Sequence, residues 1–145
     1  MSEPTAAPAA KKPRPTAPHL TVYHLPISGL MSIAHRIMGV ALMFGLLLFT
    51  WWCVAVLSGP PAYGYFIEFT KTIIGRFMLL GWTWATVYHM SNGIRHMCWD
   101  LGKGFEISEI KYTNFVVMIM SVVLTALIWV LAFSTVTPAA GVMHA

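Results

Sequence analysis

IMGVALMFGLLLFTWWCVAVL, residues 37–57, decides the fold of this 145-residue chain. None of its 21 residues is charged, and as an α-helix the segment is long enough to cross a hydrocarbon core about 30 Å thick. The whole chain is 57% hydrophobic and 10% charged, whereas soluble domains carry about 25% charged residues. Because so little charge is available to cover a soluble surface, we predict an all-α integral membrane protein.

Two further uncharged runs follow the first. Residues 77–94 form a run of 18 and residues 112–137 a run of 26, and clusters of Gly and Pro lie between the runs and after the last one. Connections this short join neighbouring antiparallel helices. We therefore predict three transmembrane helices in an up-down-up bundle, at about 28–57, 66–100 and 110–137.

The helices make up a membrane anchor domain over 28–137, with a tail at each end. Residues 1–27 form a polar N-terminal tail, whose basic cluster is not followed directly by an apolar core and a cleavage site, so we expect no secretory signal. Glu3 and the proline content argue against a mitochondrial transit peptide. Residues 138–145 form a short C-terminal tail.

The basic residues indicate how the bundle is oriented. The net charge is +4, but these residues flank apolar runs, so they indicate membrane topology and not a nucleic-acid partner. Only Lys71 and Arg76 fall on the side of the bundle away from the N-terminus, against seven on the N-terminal side: Lys11, Lys12, Arg14, Arg36, Arg95, Lys103 and Lys111. The positive-inside rule then places the N-terminus on the cytoplasmic (or matrix) side.

A histidine within the second run requires an explanation, because a polar group in the bilayer needs a partner. His89 follows twelve uncharged residues and shares one helical face with Gly93, His96 and Asp100. Gly93 leaves room beside the imidazole for a flat macrocycle, so His89 is a candidate axial ligand of a haem iron. A hydrogen bond from His89 to a neighbouring helix is the alternative interpretation. No other histidine lies as deep, so a second axial ligand would come from another chain.

Three polar residues share a face in the first turns of the first helix. Ser32, His35 and Arg36 lie at i, i+3 and i+4. A hydroxyl, an imidazole and a guanidinium together suit a haem propionate or a quinone carbonyl. The simpler interpretation is that Arg36 reaches lipid phosphate while Ser32 bonds its own helix. The sequence contains no arrangement typical of a catalytic site, so we predict no catalytic residue.

Two motifs resemble a known family, the cytochrome b subunits of succinate dehydrogenase. The first consists of RPTAPHLTVY (14–23) followed by SIAHRIMG (32–39), and the second is HMSNGIRHMCWDLG (89–102). Both occur in the family's order, and the resemblance covers about residues 14–136. Met38 departs from the family pattern, which usually has Ser or Thr there, so a hydroxyl contact at that position is not expected.

The resemblance implies roles for individual residues. It implies that His89 is one axial ligand of haem b, and so a ligand of the iron, and that His35 and Arg36 approach a haem propionate. It also implies that Ser32, Ile33 and Arg36 line the site of ubiquinone, which is the substrate.

The resemblance further implies a complex with three other subunits. A second, smaller membrane anchor would supply the other haem ligand, and an iron-sulfur subunit and a flavoprotein would dock on the inner face. Electrons from succinate would reach ubiquinone, joining the tricarboxylic acid cycle to the respiratory chain. We expect Arg95, Lys103 and Lys111 to be exposed and to contact the iron-sulfur subunit or anionic lipid. The membrane would be the bacterial inner membrane or, as the alternative, the mitochondrial inner membrane.

Other functions compete with this interpretation. A purely structural anchor would hydrogen-bond His89 and bind no haem. A transporter or proton-conducting subunit would need ionisable residues across the membrane depth, and residues 112–137 contain none. A fumarate reductase anchor would run the same chemistry in reverse, and the motifs favour succinate oxidation.

Overall fold

A computed structural model describes residues 23–140, with side chains described as far as residue 135. This part of the chain folds into four α-helices and no strands, which confirms the all-α prediction. The helices are α1 (Ile27–Ser58), α2 (Pro60–Lys71), α3 (Ile73–Asp100) and α4 (Ile107–Ala140). Most of both predicted tails, the first motif as far as Val22, and Lys11, Lys12 and Arg14 lie outside the described residues.

Glycine and proline separate α1 from α2, as the sequence predicts. Gly59 has φ 93°, a left-handed conformation that glycine adopts without a Cβ clash, and it ends α1. Pro60 and Pro61 then occupy the first turn of α2, where the missing backbone N–H costs no hydrogen bond. Gly59 therefore ends the first helix, and the two prolines begin the second.

The predicted helix over 66–100 is two helices in the structure, and the first of them begins at Pro60, six residues before the predicted start. Thr72 is extended at φ −66° and ψ 157°, and its Oγ1 accepts a 3.0 Å hydrogen bond from the backbone N–H of Gly75. This is an N-cap, so α3 begins anew after Thr72. A Cβ on Gly75 would overlap the carbonyl oxygen of Phe69, so glycine permits the close approach of α2 to α3. The break was not predicted, because the approach of α2 to α3 around Gly75 is a tertiary contact and Thr72 by itself is only a weak turn signal.

A glycine turn connects α3 to α4. Gly102 and Gly104 have φ of 73° and 85°, and the indole N–H of Trp99 donates to the carbonyl of Gly104 at 3.0 Å. The last helix begins at Ile107 and continues to Ala140, past the predicted end at 137. Pro138 removes only one backbone donor from the final turn, and the helix extends two residues beyond it.

The three long helices pack with α3 between α1 and α4. Close contacts pair Gly45 with Trp82 and Gly39 with His89, so residue numbers rise along α1 as they fall along α3. A Cβ on Gly45 would overlap the Trp82 indole, which lies directly on the α1 backbone. The short helix α2 packs on α1 and α3, where Phe66 joins Leu48 and Ala55 in a small core.

Two of the described helices are long and apolar enough to cross a membrane by length and composition. They are α1 and the stretch Ile107–Thr135 of α4. The middle helix α3, with 28 residues, is also long enough, but it carries more polar residues, among them His89 and Asn92. The number of spans and their orientation therefore remain predictions.

Candidate functional site

Three histidines meet where α1 packs on α3. The imidazole of His35 stacks on that of His89, with ring centroids 4.0 Å apart and planes inclined by 15°. His96 lies further along α3, with its ring centroid 5.4 Å from that of His35. Its ring also meets the Trp99 ring edge-on, with centroids 4.9 Å apart. All three histidines are half-buried. His89 and His96, which helical spacing places on one face of α3, are therefore joined by a histidine of α1.

Glycines leave space around His89. On α1, a Cβ placed on Gly39 would lie 3.4 Å from the Nε2 of His89, so this nitrogen faces bare backbone. On α3 itself, a Cβ on Gly93 would meet no heavy atom within 4 Å. Within residues 23–135 neither nitrogen of His89 has a hydrogen-bond partner. An unpaired imidazole with bare backbone on two sides fits the requirements of an axial haem ligand.

The polar residues of α1 beside the histidines are also unpaired. Ser32 is half-buried, and its hydroxyl makes no hydrogen bond to the described part of the chain, including its own helix. Arg36 is exposed and has no acidic partner there. Ile33 is 44% exposed between them. The Nδ1 of His35 is buried without a hydrogen bond. We call Ser32, His35, Arg36, His89 and His96 the open polar face.

A second set of polar residues is enclosed between α1, α3 and α4. We call Tyr88, Asn92, Arg95 and Asn114 the buried polar cluster. Arg95 is 5% exposed, and its Nη1 donates to Oδ1 of Asn114 and lies 3.8 Å from the sulfur of Met31. Its guanidinium also lies 4.5 Å from the centre of the Trp99 ring. The Tyr88 hydroxyl donates to the carbonyl of Met31 at 3.2 Å.

The position of Arg95 corrects one prediction. We expected an exposed side chain in contact with a partner subunit or lipid, but Arg95 is buried within its own chain. The reason is that α4 supplies an oxygen acceptor and α3 an aromatic ring, which together replace water around the guanidinium. Lys103 and Lys111 are exposed, as expected.

The sequence analysis missed two residues of these sites. Gly39 ends the SIAHRIMG motif and lies one turn after His35, and that spacing would have placed it beside the histidines. Asn114 was read as one more uncharged residue of the third run. A carboxamide in an apolar helix is itself a signal, because it needs a buried partner, and here the partner is Arg95.

No group of three or more His, Cys, Asp or Glu side chains among the described residues is arranged to hold a metal ion. The histidines of the open polar face stack on one another and do not converge on a common point. Among the described residues, His89 therefore does not share a metal site with the other two histidines.

Comparison with known proteins agrees with the two motifs. The family model described as succinate dehydrogenase/fumarate reductase transmembrane subunit matches residues 10–128. The succinate dehydrogenase cytochrome b556 subunit of Rickettsia felis is 39% identical over 117 residues, which cover 81% of this chain and 91% of that protein.

Bacterial and mitochondrial relatives both match. The cytochrome b556 subunit of Paracoccus denitrificans is 38% identical over 83% of this chain and 92% of that protein. The mitochondrial cytochrome b560 subunit of Sus scrofa is 36% identical over 75% of this chain and 66% of that protein. The chain therefore belongs to the family of succinate dehydrogenase and fumarate reductase transmembrane subunits, and within it to the cytochrome b subunits of succinate dehydrogenase, membrane subunits of the enzyme complex that are not catalytic alone.

Proposed function

We propose that this chain holds haem b together with a second, smaller anchor subunit and forms part of the site at which ubiquinone is reduced. Electrons would come from succinate through a flavoprotein and an iron-sulfur subunit. The observation that carries the proposal is the open polar face, where His89, Ser32 and Arg36 are grouped and none of the three has a hydrogen-bond partner within the described chain.

His89 would supply one axial ligand of the haem iron. Its unpaired imidazole beside Gly39 supports this role, and the name of the relatives, cytochrome b, fits it. Haem bound there would accept and release one electron at a time. His35, whose Nδ1 is buried and unpaired, and Arg36 would donate hydrogen bonds to propionates. A buried donor without a partner is costly, and a propionate oxygen would satisfy it.

Ser32, Ile33 and Arg36 would form this chain's part of the quinone site. Arg36 would donate to a quinone carbonyl oxygen and stabilise the negative charge that develops there on reduction. Ser32 has a free hydroxyl, because unlike Ser91 and Thr86 it does not donate to its own helix. It would donate a hydrogen bond to the quinone and relay to it a proton taken up from the inner side of the membrane. Ile33 would pack against the ring.

The way in which α3 hides its polar groups supports a three-span arrangement. Asn92 and Arg95 face the interior of the bundle, and the hydroxyls of Thr83, Thr86 and Ser91 donate to carbonyls of their own helix. The outer surface of α3 is therefore more apolar than the amino-acid composition of the whole helix suggests. We infer a multi-pass protein with its N-terminus on the cytoplasmic or matrix side, where the iron-sulfur subunit would dock.

The location of this complex would be the bacterial inner membrane. Relatives from Rickettsia and Paracoccus match over more of this chain than the mitochondrial ones do. The mitochondrial inner membrane is the alternative. The direction would be succinate oxidation, because the matching relatives are named succinate dehydrogenase subunits.

Replacing Arg36 tests the quinone role separately from assembly. In the purified four-subunit complex, Arg36→Leu should slow succinate-dependent ubiquinone reduction by about 10- to 100-fold, the factor given by the about 1.5–3 kcal/mol of a hydrogen bond to a charged group. Succinate oxidation by an artificial dye that accepts electrons before the membrane should be unchanged.

Two further variants act as controls. Arg36→Lys should recover part of the quinone activity, because it keeps the charge but loses the planar donor pair. Tyr65→Leu changes an exposed side chain of α2, at the other end of the bundle from the open polar face, and should leave both rates as in the wild type. Equal loss of the quinone and dye activities in Arg36→Leu would show failed assembly and would remove Arg36 from the quinone site.

A further inference from the structure

The two basic residues at the other end of the bundle lie at the mouth of one groove. Lys71 ends α2, and Arg76 lies in the first turns of α3, far along the bundle from Ser32 and Arg36. Both line a groove of about 340 Å³ that runs between α3 and α4. We call this the basic groove. It shares no lining residue with the open polar face, so it needs an explanation of its own.

The mouth of the basic groove carries an unbalanced positive charge. Lys71 pairs with Glu68 at 2.6 Å, and both side chains are exposed. Arg76 is exposed too, and its guanidinium has no partner among the described side chains. The three charges sum to one positive charge, which rests on a planar group able to donate two parallel hydrogen bonds to a phosphate.

Below the mouth the walls are apolar. Leu79 and Ile128 face the groove from the two helices, and the rings of Trp129 and Phe133 lie 5.6 Å apart along it. Thr70 and Thr83 also line the groove, but their hydroxyls donate to backbone carbonyls of their own helices. From Arg76 to Thr83 the helix rises about 10.5 Å, so the apolar part is deep enough for a length of hydrocarbon chain.

We propose that the basic groove binds one anionic phospholipid, with its phosphate on Arg76 and Lys71 and an acyl chain between Leu79 and Trp129. A cationic mouth above an apolar channel matches a ligand with the same two halves. A free inorganic anion would gain nothing from the aromatic walls. In a zwitterionic lipid the headgroup cation would oppose the attraction between its phosphate and the basic residues, so an anionic lipid is favoured. This proposal requires only that the chain lies in a membrane, as its family does, and it does not depend on the haem or the quinone.

The test uses the intact complex in nanodiscs of phosphatidylcholine and phosphatidylglycerol. After mild detergent extraction, native mass spectrometry counts the lipids retained per complex. The wild type should retain phosphatidylglycerol in preference to phosphatidylcholine. Arg76→Gln should lower that retention about fivefold, the factor given by about 1 kcal/mol for one basic residue at an anionic surface.

Three comparisons make the result decisive. Glu106→Gln changes one exposed charge at the opposite end of the bundle and should keep the phosphatidylglycerol. Ala132→Trp should fill the groove and lower retention while leaving Arg76 in place. A photoreactive residue at position 132 should capture lipid. Equal retention in Arg76→Gln and the wild type, equal retention of both lipids, or capture of a polypeptide at position 132 would each overturn the proposal.

Discussion

The open polar face and the buried polar cluster share helix α3, yet their polar groups differ in how they are paired. In the buried polar cluster, Arg95 donates to Asn114 on α4 and Tyr88 donates to the backbone of Met31 on α1. In the open polar face, Ser32 and Arg36 make no such bond within the described chain, and His89 only stacks on His35.

The bonded residues of the buried polar cluster hold helices together. Those of the open polar face have no hydrogen-bond partner in the described chain. A polar group in the membrane is costly until it is paired. Where the chain supplies the partner, as Asn114 does for Arg95, the interaction ties α3 to α4. Asn92 of the buried polar cluster is also unpaired, but it is fully buried. The unpaired residues of the open polar face are accessible, so a cofactor, a substrate or another subunit can reach them. We therefore propose the open polar face as the functional site, and the predictions below change one region at a time.

The largest effect should come from Asn114→Leu. This change leaves the Arg95 guanidinium buried without an oxygen acceptor, and breaking a buried charged interaction from one side costs about 3–5 kcal/mol. The yield of assembled complex and its thermal midpoint should fall sharply. The double variant Arg95→Leu/Asn114→Leu should recover much of the loss, because no unpaired charge remains.

Asn92→Leu is the matched control for that experiment. Asn92 is fully buried in the same region, but neither its Oδ1 nor its Nδ2 has a partner in the described chain. Its replacement by a side chain of similar size breaks no observed hydrogen bond and should be tolerated far better. An equal loss of yield for Asn92→Leu and Asn114→Leu would show that packing volume, and not the bond to Arg95, sets the stability of this region.

A smaller effect on assembly, but a specific one on the cofactor, is expected at Gly39. Gly39→Leu would push side-chain atoms into the imidazole of His89, so haem content should fall while the chain still inserts and assembles. Gly39→Ala should keep the haem, because its Cβ would only touch His89 Nε2 at 3.4 Å. Haem per complex, from the pyridine haemochrome spectrum, is the measurement.

The control for this prediction is Gly64→Leu in α2, where an added Cβ meets no heavy atom within 4 Å. It should keep the full haem content. Haem retained in Gly39→Leu would mean that His89 coordinates the iron from a different orientation, or not at all.

The sequence predicted the long helices well because their signals are local. Uncharged runs set the extents of α1 and α4, and Gly59 and Gly102 mark turns that any chain would need. The break at Thr72 was missed because it depends on α2 folding against α3 around Gly75, which is a tertiary contact.

The candidate site was predictable in its members but not in its arrangement. Helical spacing groups Ser32 with Arg36 and His89 with His96, since each pair lies on one helix. Spacing within a helix says nothing about contacts between helices, so the stacking of His35 on His89 and the burial of Arg95 against Asn114 appear only in the folded chain. An arginine at the end of an apolar run reads as a surface residue unless its partner on another helix is known.

The central claim is that the open polar face binds haem through His89, and a reduced-minus-oxidised visible spectrum tests it most directly. The complex would be purified through a tag on this chain as wild type, His89→Ala and His24→Ala. His24 is an exposed histidine that does not belong to the open polar face. The account predicts a low-spin b-type spectrum in the wild type and His24→Ala, lost or shifted in His89→Ala while the complex still assembles. An unchanged spectrum in His89→Ala, or no haem signal in the wild type, would contradict it.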